Sequence, residues 1–174
     1  MITGLVRYDY IVSLNAARPF RIPIALVGSQ DCDLDWDHKC RSEDPRAQEN
    51  KRLEHVLIYT VIEATVVRAA SDMNSKKWPR LKDNKDERYQ FLESVPSTQD
   101  SAGRGLPEMV IDFKRYFTIP TEEVYRQLRE KSSDCPGRRC RLVAPFKEHL
   151  QNRVCFYQSR VGLPLDHMSE PMAS

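Results

Sequence analysis

The feature that most constrains the fold is a short apolar run that ends abruptly in a cluster of polar residues. The run extends from Ile22 to Val27 and is typical of a central strand buried on both faces. A rigid strand that delivers polar side chains to one loop is a common way to build a functional site. The cluster that follows the run is therefore the first candidate site, and it contains Ser29, Gln30, Asp31, Cys32 and Asp33.

Further segments rich in β-branched and aromatic residues are also predicted to be strands. Together with this apolar run, short strands and local helices predict a mainly β domain over residues 1–164, a small barrel or strongly bent sheet with added helices. Residues 165–174 are predicted to be a disordered tail. The predicted strands cover residues 4–13, 22–29, 56–62, 88–95 and 109–119.

Helices are predicted for residues 63–73, for residues 122–131 with Thr121 as the cap, and for residues 145–160. The last helix is amphipathic, and its apolar stripe either packs on the domain's own core or forms a partner or homodimer interface. Three polar segments are predicted to be loops: residues 31–50 with a short helix near 46–53, a basic loop at 74–86, and a flexible loop at 96–107.

The composition is that of a soluble globular protein with little net charge. The 174 residues are 40% hydrophobic and 30% charged, and the formal net charge is +2, so overall charge gives no argument for nucleic acid. No signal peptide pattern opens the sequence, and its longest apolar stretch, residues 56–67, is too short and too polar to span a bilayer. We therefore expect a cytosolic protein that does not contact a membrane and whose cysteines are mainly thiols.

Two pieces of the sequence resemble the toxins of the MazF/PemK type. Gly4-Leu5-Val6 and the Arg18-Pro19 pair that precedes IPIALVGS are similar to the first strands of that family. VIDFKRYFTIPTEEVYRQL is similar to a later strand and helix. The resemblance implies an SH3-like barrel and an RNA-cleaving, toxin-like endoribonuclease, with Arg18 as the catalytic cation and Thr60 or Thr65 in the position of the family's catalytic threonine. The chain is also similar to small bacterial and phage-borne proteins that share an SQ-x-CD strand end.

Basic residues interleaved with aromatic ones are candidates for RNA contact, because cations bind phosphates and rings stack on bases. Metal-free cleavage would also require a base for the 2′-hydroxyl, and no such base is evident. The alternative is a solvated surface, since Asp86 and Glu87 partly neutralise the charge. The candidate residues are Arg21, Lys76, Lys77, Trp78, Arg80, Lys82, Arg88, Arg138 and Arg139.

The cysteines suggest a metal site. Cys32 and Cys40 lie close together in sequence, and Cys135 and Cys140 form a second pair. Zinc favours thiolate ligands from two separate loops, although the spacing also fits incidental cysteines. Catalysis by Cys32 is disfavoured, because its acidic neighbours would raise the pKa of the thiol.

Four aspartates at alternate positions would lie on one side of an extended segment, where they could bind a divalent cation or a basic partner. These residues are Asp31, Asp33, Asp35 and Asp37.

Two classes of function follow from these patterns. The first is a cytosolic bacterial or phage protein that binds a macromolecule, with toxin-like RNA cleavage, which the resemblance implies, as its enzymatic form. The second is a non-catalytic interaction or inhibitor protein in phage–host conflict, which binds a protein partner. No cofactor is required in either class, and zinc would serve a structural role.

Overall fold

The computed structural model describes residues 1–11, 16–42, 49–130 and 137–159. Its strands pair antiparallel in a single sheet with the order β1-β2-β3-β5-β4. In this part of the chain the sheet is open, with β1 and β4 at its edges, whereas the sequence predicted a barrel. The mainly β pattern with added helices is confirmed as a mixed β-sheet and helix fold. The strands are β1 (Ile2–Ile11), β2 (Ala16–Val27), β3 (His55–Glu63), β4 (Tyr89–Leu92) and β5 (Met109–Pro120).

Five α-helices cover the sheet in the described segments, and short 3-10 turns occur at Glu49–Lys51 and Ser97–Gln99. The helix predicted for residues 63–73 ends early, and none of the described helices is long and apolar enough to cross a membrane. The tail predicted for residues 165–174 lies outside the described residues. The helices are α1 (Asp31–Ser42), α2 (Ala64–Arg68), α3 (Lys77–Lys82), α4 (Thr121–Arg129) and α5 (Phe146–Ser159).

The prediction of a loop directly after β2 is wrong, because α1 begins at Asp31. Acidic residues occupy the first turn of α1 and basic residues the last, as the helix dipole favours. Two pairs at i, i+4 spacing add support, Asp35 with Lys39 and Asp37 with Arg41. The four alternating aspartates therefore do not share one side of an extended segment.

The predicted loop at 74–86 contains the short helix α3. The Asn74 side chain accepts hydrogen bonds from the backbone N–H groups of Lys76 and Lys77, at 3.0 and 2.9 Å. This satisfies donors that the start of a helix leaves free. Leu81 anchors the helix by burying its side chain completely.

Thr121 is not the side-chain cap that the sequence predicted for α4. Thr121 is fully buried at the start of α4, and its hydroxyl has no hydrogen-bond partner among the described residues. The backbone N–H of Thr121 instead donates to the carbonyl oxygen of Glu54 at 2.9 Å. Tertiary contact with the chain before β3 therefore fixes where α4 begins.

Three apolar cores pack against the sheet, and neighbouring residues of a strand alternate between them. The first core lies under α5, where Leu150 and Val154 are buried, so this helix packs on its own domain. The second core lies under α1 and α4, and the third under α2 and α3. Their central members are Tyr59, Ile111 and Phe113 in the first, Leu5, Ile22 and Ile58 in the second, and Leu81, Phe91 and Val110 in the third.

Candidate nucleic-acid interface

The ribbon formed by β1 and β2 bends across the sheet. Arg7 of β1 lies opposite Phe20 of β2, and its guanidinium carbon is 5.1 Å from the centre of that ring. The same carbon is 4.7 Å from the centre of the Phe117 ring on β5. Because β3 separates β2 from β5 in the sheet, the ribbon must curl over β3 to make this contact. Leu5 and Ile22, both fully buried, pack beneath the curled ribbon.

The outer part of this ribbon is exposed and basic. The Phe20 ring is 50% exposed, although it touches Arg7. Arg18 lies two residues before Phe20 and therefore on the same face, while Arg21 lies on the opposite face. Both arginines are exposed, and neither forms an ion pair within the part of the chain whose side chains are described. We call Arg7, Arg18, Phe20 and Phe117 the arginine–phenylalanine surface.

This surface combines the two contacts that single-stranded nucleic acid requires. A half-exposed ring offers a face on which an unpaired base can stack. Arginine binds phosphate through a planar fork of donors. Because Arg7 is already held between two rings, its guanidinium loses little freedom when it binds a phosphate.

The β2–β3 ladder does not bring the predicted catalytic residues together. Thr60 pairs with Ala25, and Arg18 lies seven residues before Ala25 on β2, so the register does not place Thr60 opposite Arg18. Thr65 is exposed on α2. The backbone register places Asp9 opposite Arg18, and no pattern in the sequence indicated this pairing.

The cations around α3 are mostly paired with carboxylates. Lys77 lies 3.4 Å from Asp72, and Lys82 lies 3.5 Å from Glu108. Lys76 and Arg80 are exposed.

Arg88, the residue before β4, binds Asp112 through two hydrogen bonds of 2.6 and 2.8 Å. These hydrogen bonds raise the pKa of Arg88. The predicted α3 residues therefore form a surface whose charges are largely neutralised within the fold.

The aromatic rings beside α3 are not free to stack on bases. Tyr89 and Phe91 are buried, with Lys77 and Lys82 over their rings at 5.4 and 5.2 Å. Trp78 is partly buried and meets Phe91 edge to face. Interleaved aromatic and basic residues in this segment therefore build the third core rather than a stacking platform.

The predicted basic residues Arg138 and Arg139 differ in their burial. Arg139 is buried and binds Asp100 through hydrogen bonds of 2.6 and 2.5 Å. These hydrogen bonds hold the pKa of Asp100 well below its usual range. Arg139 therefore joins two segments of the fold, whereas Arg138 is exposed.

The polar cluster after β2 connects elements and forms no converging site in the described structure. The backbone N–H of Leu57 donates to the Ser29 hydroxyl at 2.9 Å, which ties the cluster to β3. Asp31 binds Lys147 of α5 at 2.8 Å. The Cys32 sulfur, which is exposed, lies near its neighbours Gln30 and Asp33, at 3.5 and 3.7 Å from their oxygens.

The predicted zinc ligands are spread over the fold. Cys32 and Cys40 both lie on α1, eight residues and about 12 Å apart along the helix axis, too far for two thiolates on one ion. Cys140 is half-buried near Arg139, and Cys135 lies outside the described residues. No group of three or more metal-binding side chains occurs in the described ranges.

Comparisons of this chain with protein-family models, with curated proteins and with solved structures gave no match. Its function is therefore argued from the geometry of its own residues.

Proposed function

We propose that the chain binds single-stranded RNA through the arginine–phenylalanine surface. The observation that carries this proposal is the half-exposed Phe20 ring with Arg7 and Arg18 on the same face of the ribbon. Stacking on such a ring requires an unpaired base and tolerates different bases. The arginines bind the phosphates that flank the stacked base, which makes the affinity dependent on salt.

The enzymatic form of this proposal is cleavage of the bound RNA. The chemistry requires a base for the 2′-hydroxyl and a cation for the charge that develops on the phosphate. Arg18 is the residue of the ribbon that fits the role of the cation, and Asp9 is the residue to test as the base because the backbone register pairs it with Arg18. Their register supports testing them before Thr60 or Thr65.

The binding experiment measures fluorescence anisotropy with a short labelled single-stranded RNA and with its duplex. Phe20→Ala is expected to weaken binding of the single strand about tenfold, because one stacking contact is lost. Arg18→Ala is expected to weaken it and to reduce the salt slope by about one.

Phe156→Ala is the matched control, because that ring is 58% exposed on α5 and is not part of the ribbon. We expect it to bind RNA like the wild type. Equal binding of single strand and duplex, or equal affinities of wild type and Phe20→Ala, would contradict the proposal. Analysis of the RNA products with Asp9→Asn and Arg18→Ala then tests the cleavage step.

Protein binding is the second candidate function, and exposed Trp36 favours it. This side chain on α1 is 47% exposed, with the Lys51 ammonium 3.9 Å from the centre of its ring. Tryptophan is enriched among residues that dominate binding energy at protein interfaces. The simplest partner is a second copy of the chain. Sedimentation of the wild type and of Trp36→Ala tests self-association. A dimer of the wild type that is absent in Trp36→Ala would support it, and a wild type that is monomeric at every concentration would contradict it.

A further inference from the structure

We infer that a cleft beside α1 and α4 binds a small amphipathic anion, an apolar chain that ends in a carboxylate. The cleft, about 1470 Å³ in volume, is larger than the roughly 300–1,000 Å³ of common ligand pockets. One part is lined by α1 and α4, a second by residues between 138 and 150, and a third by residues between 82 and 101. This inference is independent of the RNA surface, because none of the four residues of the arginine–phenylalanine surface lines the cleft.

The floor of the cleft is apolar. Ile2, Val56 and Val124 line it and are buried to between 1% and 5% exposure. Leu34 of α1 and Leu128 of α4 line it as well and are partly exposed. Because these side chains belong to or pack against the second core, the floor offers a preformed surface for an apolar chain. Burial of such a chain is favoured by the hydrophobic effect.

Four acidic side chains line the cleft: Glu93 is exposed, and the other three pair with lysines, Asp83 with Lys85 at 2.9 Å. Asp31 binds Lys147 at 2.8 Å, and Asp35 binds Lys39 at 2.7 Å. Burial, together with hydrogen bonding to the Asp37 carboxylate, raises the pKa of Tyr125 to about 12, so its phenol carries no charge at neutral pH. The three paired carboxylates and Tyr125 therefore add little net negative charge.

Of the four lysine and arginine side chains that line the cleft, Lys82 is paired with Glu108 and Arg139 with Asp100. Arg138 and Arg141 line the cleft and are exposed. Neither forms an ion pair with any residue that the structure describes. An arginine fork matches the two oxygens of a carboxylate. A cleft lined both by apolar side chains and by two exposed arginines therefore selects a ligand with an apolar body and an anionic head.

The experiment compares decanoate with 1-decanol by isothermal titration calorimetry on the full chain, with decanoate below its micelle concentration. The two probes have the same ten-carbon length and differ in the head group, which is a carboxylate in decanoate and an uncharged hydroxyl in decanol. We expect decanoate to bind more tightly than decanol. The double variant Arg138→Ala/Arg141→Ala is expected to lower decanoate affinity about tenfold and to leave decanol affinity unchanged.

Two further variants test the apolar contact with the ligand and the specificity of the arginine effect. Leu34→Trp fills the floor and is expected to weaken both probes, with folding checked by circular dichroism. Arg129→Ala removes an exposed arginine of α4 that does not line the cleft, and it is expected to bind both probes like the wild type. The inference is overturned if decanoate does not bind, if both probes bind equally, or if Arg129→Ala loses as much affinity as the double variant. RNA binding by the double variant should be unchanged, which keeps this test distinct from that of the RNA surface.

Discussion

Buried aspartates join segments that are far apart in the chain. The carboxylate of Asp100 accepts hydrogen bonds from Arg139 and from the backbone N–H groups of Ala102 and Arg104, at 3.1 and 3.2 Å. This network fixes residues 96–107, which the sequence predicted to be flexible, against the segment that begins at Gly137. That segment in turn pairs with β1, through the N–H of Thr3 and the carbonyl of Gly137, 2.8 Å apart. A single carboxylate thus supports the edge of the sheet.

Replacing Asp100 by Asn is expected to lower the free energy of unfolding by about 3 kcal/mol at neutral pH, because Arg139 then stays buried without its counter-ion. The folded-state pKa of Asp100 lies below its ordinary value of 3.8. Its contribution is therefore complete above that value and is lost as the pH falls towards the folded-state pKa. Urea unfolding between about pH 7 and pH 2 should show the two proteins converging at low pH.

Asp35→Asn is the matched control for this charge effect. Asp35 is exposed and paired with Lys39 at i, i+4 spacing, so its loss should cost no more than about 0.5 kcal/mol. A gap between wild type and Asp100→Asn that stays constant on acidification would contradict the role given to the ion pair.

At the scale of elements, strands were easier to predict than helices. The β3 strand and the apolar second half of β2 were predicted because their apolar, β-branched patterns are local, whereas residues 16–21 of β2 were not predicted to be a strand. In contrast, α1 has only two buried residues, Asp37 and Cys40, and therefore lacks the apolar stripe that reveals a helix. Its signal was the placement of charge, with aspartate first and lysine and arginine last.

The candidate site was only partly predictable for a similar reason. The sequence singled out Arg18 and Arg21 as cations, but it predicted that the strand begins at residue 22, whereas β2 begins at Ala16 and therefore includes both arginines and Phe20. The contact of Arg7 with Phe117 depends on the bend of a whole ribbon, and residues 110 positions apart carry no local sign of such a contact.

The α4 helix protects the edge of the sheet through Gln127. Its side-chain amide donates to the carbonyl of Val6 and accepts from the N–H of Val6, both at 2.8 Å. Gln127→Met keeps the length of the side chain but leaves both backbone groups unpaired. We expect it to lower the free energy of unfolding by about 2 kcal/mol and to accelerate hydrogen exchange of the Val6 amide.

Arg129→Ala, on the same helix, is the control. It should change the free energy of unfolding by no more than about 0.5 kcal/mol and should leave hydrogen exchange of the Val6 amide unchanged. Unchanged exchange at Val6 in Gln127→Met would show that the edge does not depend on this contact.

At the scale of the whole molecule, strand β5 links the three cores. Val110 belongs to the third core, Ile111 to the first and Ile119 to the second. Because all three side chains stand on one strand, no core can lose its packing without disturbing the strand that the other cores share. The described fold should therefore unfold as one cooperative unit.

The two tryptophans of the chain allow a direct test of this cooperativity. Trp36 stands on α1 beside the second core, and Trp78 packs against the third. Trp36→Phe and Trp78→Phe each leave one reporter, and urea unfolding followed by fluorescence and by circular dichroism should give coincident transitions within each variant. Ile111→Val, in the first core, should destabilise both variants equally, by about 1 kcal/mol. In Trp36→Phe the fluorescence reports on Trp78. If this signal changed at lower urea than the circular dichroism of the same variant, the third core would unfold by itself. The link through β5 would then be too weak to couple the three cores.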